Sequence, residues 1–171
     1  MAMTFVALPT EVVRAYQQGA HDANGQVPER AVSEGGGNPC RHCLRMIAEG
    51  AGMLILAHRP FPAPQPYAEV GPIFLCAEPC ARGGGEAVPE MLASPEYIVR
   101  GYGPDDRIIY GTGAVVPTEA ISARAEAHLA DPRVAYVHVR SARNNCYQLR
   151  VDRAQDAFGE SILIRKKREA R

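Results

Sequence analysis

The sequence predicts a single α+β domain, a mostly antiparallel sheet of five to seven strands with two or three helices. Three observations carry that expectation. Short apolar or alternating runs bounded by Gly and Pro recur at Met53–His58, Pro72–Cys76, Glu96–Tyr102, Arg133–Arg140 and Cys146–Asp152. Two of the intervening segments have hairpin character, and one clear helical periodicity interrupts the strands.

Taken in order, Thr4–Leu8 reads as a short strand, and Pro9-Thr10 opens a helix with Thr10 as its N-cap and Val12, Val13 and Tyr16 along one stripe; Gly19 ends it. His21–Asn38 is polar and turn-forming, which predicts an irregular connection long enough to need pinning. Asn38-Pro39 fits the start of a short helix through Ala48, closed by Gly50 and Gly52. Met53–His58 is apolar on both alternating faces, as in a central strand. The prolines of Arg59–Gln65 take the chain out of the sheet. Pro72–Cys76 is the next strand, and Arg82-Gly-Gly-Gly85 a flexible loop. Gly103-Pro-Asp-Asp106 makes a good turn between strands Glu96–Tyr102 and Arg107–Tyr110. Ile121, Ala125 and Leu129 recur every four residues inside a helix over Pro117–Ala130, which Asp131-Pro132 stops.

The last two strands form a hairpin whose register follows from parity. Ala135, Val137 and Val139 share a face in one strand, as do Tyr147, Leu149 and Val151 in the other. A loop of Ser141–Asn145 brings both sets to one side. The opposite face then carries Tyr136, His138, Arg140, Cys146, Gln148 and Arg150, with Arg140 near Cys146 and His138 near Gln148. Such a face is either solvated or the floor of a pocket, where its donors suit a small anionic ligand.

Length and composition narrow the function classes. At 171 residues the chain is one domain able to bury about 70% of its unfolded surface. We divide it at 160, leaving 161–171 as a basic C-terminal tail. Nineteen basic residues balance nineteen acidic ones, and the eleven aromatic residues form no stacking platform, so no nucleic-acid partner is expected. No apolar run reaches membrane-spanning length and the N-terminus lacks a signal-peptide pattern, which points away from membranes and toward the cytoplasm. In that compartment five cysteines stay reduced, leaving metal binding, catalysis or simple burial.

Cys40-x-x-Cys43 and Cys76-x-x-x-Cys80 together supply four thiolates, the donor number of tetrahedral zinc. The 32 residues between the pairs exceed a compact zinc ribbon's spacing. His42, His58, His138 and Cys146 are substitute ligands. A structural site uses four protein donors, whereas a catalytic one keeps a water. Two alternatives stand beside zinc: a redox dithiol at Cys40 and Cys43, favoured if Cys40 begins a helix, and inert buried thiols. The catalytic candidates are His138, Arg140 and Cys146, with Cys80 or Cys146 as nucleophile and His138 as base. Tyr136, His138 and Arg140 are the candidate ligand-binding residues. Neither glycine run has the setting of a phosphate-binding loop.

Pro39-Cys-Arg-His-Cys-Leu44, Arg59-Pro-Phe61, Tyr67-Ala-Glu-Val-Gly-Pro-Ile-Phe74, Glu78-Pro-Cys80, Arg100-Gly-Tyr102 and Tyr136-Val-His-Val-Arg140 with Cys146 occur in that order. Together they resemble the bacterial family of domain of unknown function 1203, over about Phe5–Arg153. The resemblance implies no activity. The family pattern has histidine at position 76, where this chain has Cys76; because those two side chains exchange as zinc ligands, the departure favours metal over a general base there.

Overall fold

A computed structural model describes residues 2–154. The basic tail at 161–171 lies outside the described residues. Two antiparallel sheets face each other. The larger has the order β5-β1-β9-β8-β6-β7, built from β1 (Met3–Val6), β5 (Gly84–Gly85), β6 (Glu96–Tyr102), β7 (Ala114–Pro117), β8 (Tyr136–Ser141) and β9 (Tyr147–Arg153). The smaller is β2-β3-β4, from β2 (Glu29–Val32), β3 (Gly52–His58) and β4 (Gly71–Cys76). Helix α1 covers Thr10–Gln17, and α2 covers Ile121–Leu129 after a 3-10 turn at Thr118–Ala120.

The expected α+β architecture is present, with strands divided between two sheets. Ile121, Ala125 and Leu129 of α2 pack on Val99, Val137, Val139, Leu149 and Val151, one face of the large sheet. Its other face meets the small sheet: Tyr147 joins Met53, Leu54, Leu56, Ile73 and Leu75 in a second core with Val13 of α1. β8 is therefore buried on both sides. Tyr136, His138, Arg140 and Gln148 are 3%, 1%, 3% and 5% exposed, so most of the polar face of the terminal hairpin is buried, while Cys146 and Arg150 stay partly exposed.

A β-bulge revises the expected register there. His138 stands opposite Arg150 rather than Gln148, and Arg140 opposite Tyr147 rather than Cys146. The extra residue on β9 leaves Leu149 and Val151 facing α2 and turns Tyr147 to the other side, against His138 and His58. Parity alone, which assumes an unbroken ladder, placed Tyr147 with Leu149.

Other expectations change for equally local reasons. No helix forms over Asn38–Ala48. The segment folds back as turns, with Pro39 bridged to Met46, Cys40 beside Phe74 of β4, and Leu44 at φ 56°. Its amide groups are committed elsewhere: Cys40 N–H to Arg45 O and Arg41 N–H to Phe74 O. Glu29–Val32, within the stretch read as irregular, pairs with β3. Gly84–Gly85, read as flexible, pairs with β1. Arg107–Tyr110 makes a single bridge, Ile108 to Tyr102, while the extended partner of β6 is β7. The Thr112 hydroxyl, hydrogen-bonded to Gly101 N–H and Ile109 O, holds the intervening turn. Thr10 does not cap α1; its hydroxyl is directed to His42.

Candidate metal centre

Two turns build the centre. The first, Pro39–Met46, projects Cys40 and Cys43 from the edge of β4. The second begins where β4 ends at Cys76 and turns through Glu78-Pro79 to Cys80. The sulfurs of Cys40, Cys43, Cys76 and Cys80 all lie within 4.8 Å of one another. Cys43 Sγ and Cys76 Sγ are 4.0 Å apart, twice a disulfide length, and all the cysteines are free. Four thiolates at about 2.3 Å from a tetrahedral ion have sulfur edges of roughly 3.8 Å, so the cluster needs little adjustment to hold one.

The surroundings are fixed by donors to the turns. Gly83 N–H donates to His42 O, and a side chain at 83 would meet Cys43 O at 2.4 Å, so only glycine admits this approach. α1 lies across the second turn, with Arg14 Nη2 donating to Cys80 O and Gln17 Nε2 to the carbonyls of Cys76 and Glu78. Cys76 N–H donates to Cys40 Sγ. His42 is buried, with Nδ1 3.1 Å from Cys80 Sγ and Nε2 2.9 Å from Thr10 Oγ1. Burial holds its imidazole below the ordinary range.

The thiols are electrostatically interdependent. Hydrogen bonds from Cys43 and Cys76 push the Cys40 pKa far down, while contact with Cys40 raises Cys43 and, with Cys43, raises Cys76. Burial pushes Cys80 up to about 12. Four sulfurs in this volume cannot all ionise unless a cation compensates them. Arg41 bears on the same balance. It is buried, donates Nε to Tyr147 O and Nη1 to Pro39 O, and burial lowers it to about 10 against the opposing pull of Cys146 and Cys40.

Cys146 stands apart from the cluster. Its thiol is directed to Asn144 O at 3.6 Å, and Arg140 Nε bonds Asn145 O and Oδ1 instead. The imidazole touching Cys80 is His42, whereas His138 is enclosed by Phe61, Tyr102, Tyr136 and Tyr147. His138 and Arg140 thus share the buried face of β8, while the Cys146 thiol is directed to a loop carbonyl. Burial and neighbouring arginines push His138 well below its ordinary pKa, and burial with Arg41 and Arg59 lowers His58 to about 4.

Sequence reasoning missed Thr10, Arg14, Gln17 and Gly83 as supports of the cysteines. The helix stripe and the glycine run that contain them have no pattern tied to a cysteine more than 30 positions away.

No curated protein and no solved structure matches the chain. Residues 37–153, which include all four clustered cysteines and the buried histidines His42, His58, His128 and His138, match the protein family of unknown function DUF1203. The chain belongs to that family.

Proposed function

We propose that this is a zinc-binding domain whose ion, held by Cys40, Cys43, Cys76 and Cys80, fastens the long N-terminal connection to the end of β4 in a structural role. The observation that carries the reading is the convergence of four sulfurs, from two segments 32 residues apart in sequence, within 4.8 Å. The donor set suits a borderline-soft ion, and four thiolates fill a tetrahedron without leaving a position for water. When bound, the ion supplies positive charge that permits all four thiolates to form.

The neighbouring groups fit that charge state. A dication with four thiolates is a net dianion, and Arg41 beside Cys40 offsets part of it. Against an ionised Cys80 sulfur, which only accepts, the fitting His42 tautomer carries its proton on Nδ1, 3.1 Å from that sulfur, and leaves Nε2 to accept from the Thr10 hydroxyl at 2.9 Å. This chain orients the ligand as supporting hydrogen bonds do in metal sites generally. The redox alternative loses the helix N-terminus it invoked, because no helix begins at Cys40; the thiolate favoured there is held by hydrogen bonds from Cys43 and Cys76 within the four-sulfur cluster.

Metal analysis of purified chain tests the proposal. One zinc per chain, lost on replacing Cys40 and Cys76 by Ser, supports it. Protein folded without metal, with its thiols freely titratable and its melting temperature indifferent to chelator, overturns it.

A further inference from the structure

A second constellation lies where the β3–β4 connection, 59–70, passes over the large sheet. Phe61 anchors that strap in a ring cluster with Tyr102 and Tyr136, and Gln65 Nε2 donates to Asp106 O. At its far end the Glu69 carboxylate bridges two guanidinium groups. Arg100 Nη2 lies 3.0 Å from Oε1 and 3.2 Å from Oε2, and Arg140 Nη2 lies 2.5 Å from Oε2. Arg140 is 3% exposed and Glu69 33%, so the acid approaches a buried cation from the solvent side.

Hydrogen bonding beneath Glu69 is incomplete. Arg140 Nη1, His138 Nδ1 and both ring nitrogens of His58 are buried without a hydrogen-bond partner. They gather around one ring: His58 and His138 pack on Tyr147 at 5.6 and 5.0 Å, and Arg140 is Tyr147's partner across the β-bulge. Each such orphan costs about 1 to 3 kcal/mol, a penalty a fold built only for stability would remove with apolar side chains. Both histidines are held neutral by burial, so each offers one N–H and one acceptor nitrogen.

We propose that this region is a binding site for a small carboxylate bearing a hydroxyl or carbonyl group, and that Glu69 occupies its anion position as an internal stand-in. The ligand carboxylate replaces Glu69 between Arg100 and Arg140 and engages Arg140 Nη1, while its second oxygen function meets His138 and His58. A carboxylate is favoured over phosphate because the planar bridge between two guanidinium groups is already built for one, and because neutral imidazoles do not supply the charge that buries a dianion. Glu69 leaves by side-chain rotation, since Phe61 and Gln65 hold the strap independently of it. The inference rests on residues outside the cysteine cluster and stands or falls separately from the metal.

Calorimetric titration of the full chain, with metal content matched between samples, tests it. Lactate, pyruvate and inorganic phosphate are the probes. Lactate or pyruvate is expected to bind wild type, and to bind Glu69→Gln roughly tenfold more tightly, because the competing internal anion has been removed. Arg100→Gln, at a partly exposed position, should lose most of that affinity while keeping the wild-type fold by circular dichroism. Absence of binding by both carboxylates to wild type and Glu69→Gln overturns the proposal, as does unchanged affinity in folded Arg100→Gln or preferential binding of phosphate.

Discussion

Arg41 and Tyr147, 106 positions apart, are joined by a 2.8 Å hydrogen bond from the buried guanidinium to the backbone carbonyl. The bond ties the first cysteine turn to the bulged end of β9. Cys40 is next to Arg41 in sequence, and His138 packs on the Tyr147 ring. The cysteine centre and the buried polar face are therefore separated by this one link. Removing metal by chelation should lower the melting temperature and shift the NMR signals of Tyr147 and His138 as well as those near the cysteines. Changes confined to 38–48 and 76–84 would show that the link transmits nothing.

His42→Ala removes the imidazole beside Cys80 and leaves the Thr10 hydroxyl without its partner. Loss of such a supporting contact weakens metal affinity by about 10- to 100-fold. Competition against a chromophoric chelator measures this. Cys146→Ser, in contrast, should retain full metal content and change stability by no more than about 0.5 kcal/mol, because that thiol lies outside the cluster.

Gly83→Ala places a methyl group against the Cys43 carbonyl, which belongs to the backbone and has no rotamer with which to retreat. Overpacking of this kind costs about 1 to 3 kcal/mol. Denaturant unfolding should register that loss, accompanied by faster metal release. An unchanged midpoint would mean that the two turns are further apart in solution.

His58 fixes a pH dependence. Its folded pKa, lowered from 6.5 to about 4, means the unfolded chain binds a proton over a range where the native chain does not. Stability from keeping His58 neutral is complete above pH 6.5 and declines as the pH falls toward 4, by a total on the order of 3 kcal/mol. The groups facing it are Arg41, Arg59, His138 and Tyr147; His138 acts in the same direction. His58→Phe should show a shallower acid slope than wild type at matched metal content. Parallel slopes would contradict the assignment.

Leu129→Ala, at the buried end of α2, should cost about 2 to 5 kcal/mol without altering metal content, because its neighbours are Val and Leu side chains of the opposite sheet face. Thermal unfolding together with metal analysis would separate the two effects.

Local patterns accounted for much of the fold. The four-residue repeat of α2, the doubly apolar run of β3 and the alternation of β6, β8 and β9 each reflect how an element presents side chains to a core. That is a short-range property, readable from residue order. The cysteine pairs were legible for the same reason, since ligand chemistry belongs to residue type. β2 and β5 were not legible, because their residues are polar or glycine and their strand character comes from the ladders of β3 and β1 beside them.

Composition and order by themselves determined the α+β class, the positions of α1, α2, β1, β3, β4, β6, β8 and β9, and which four thiols form the candidate ligand set. Tertiary structure alone decided that those thiols converge, that Thr10 meets His42 rather than capping its helix, and that a bulge turns Tyr147 toward two buried histidines. The physical reason is that convergence depends on contacts between chain segments far apart in sequence, whose strengths are set by packing and by the loss of water around them. No periodicity within a single element encodes either quantity.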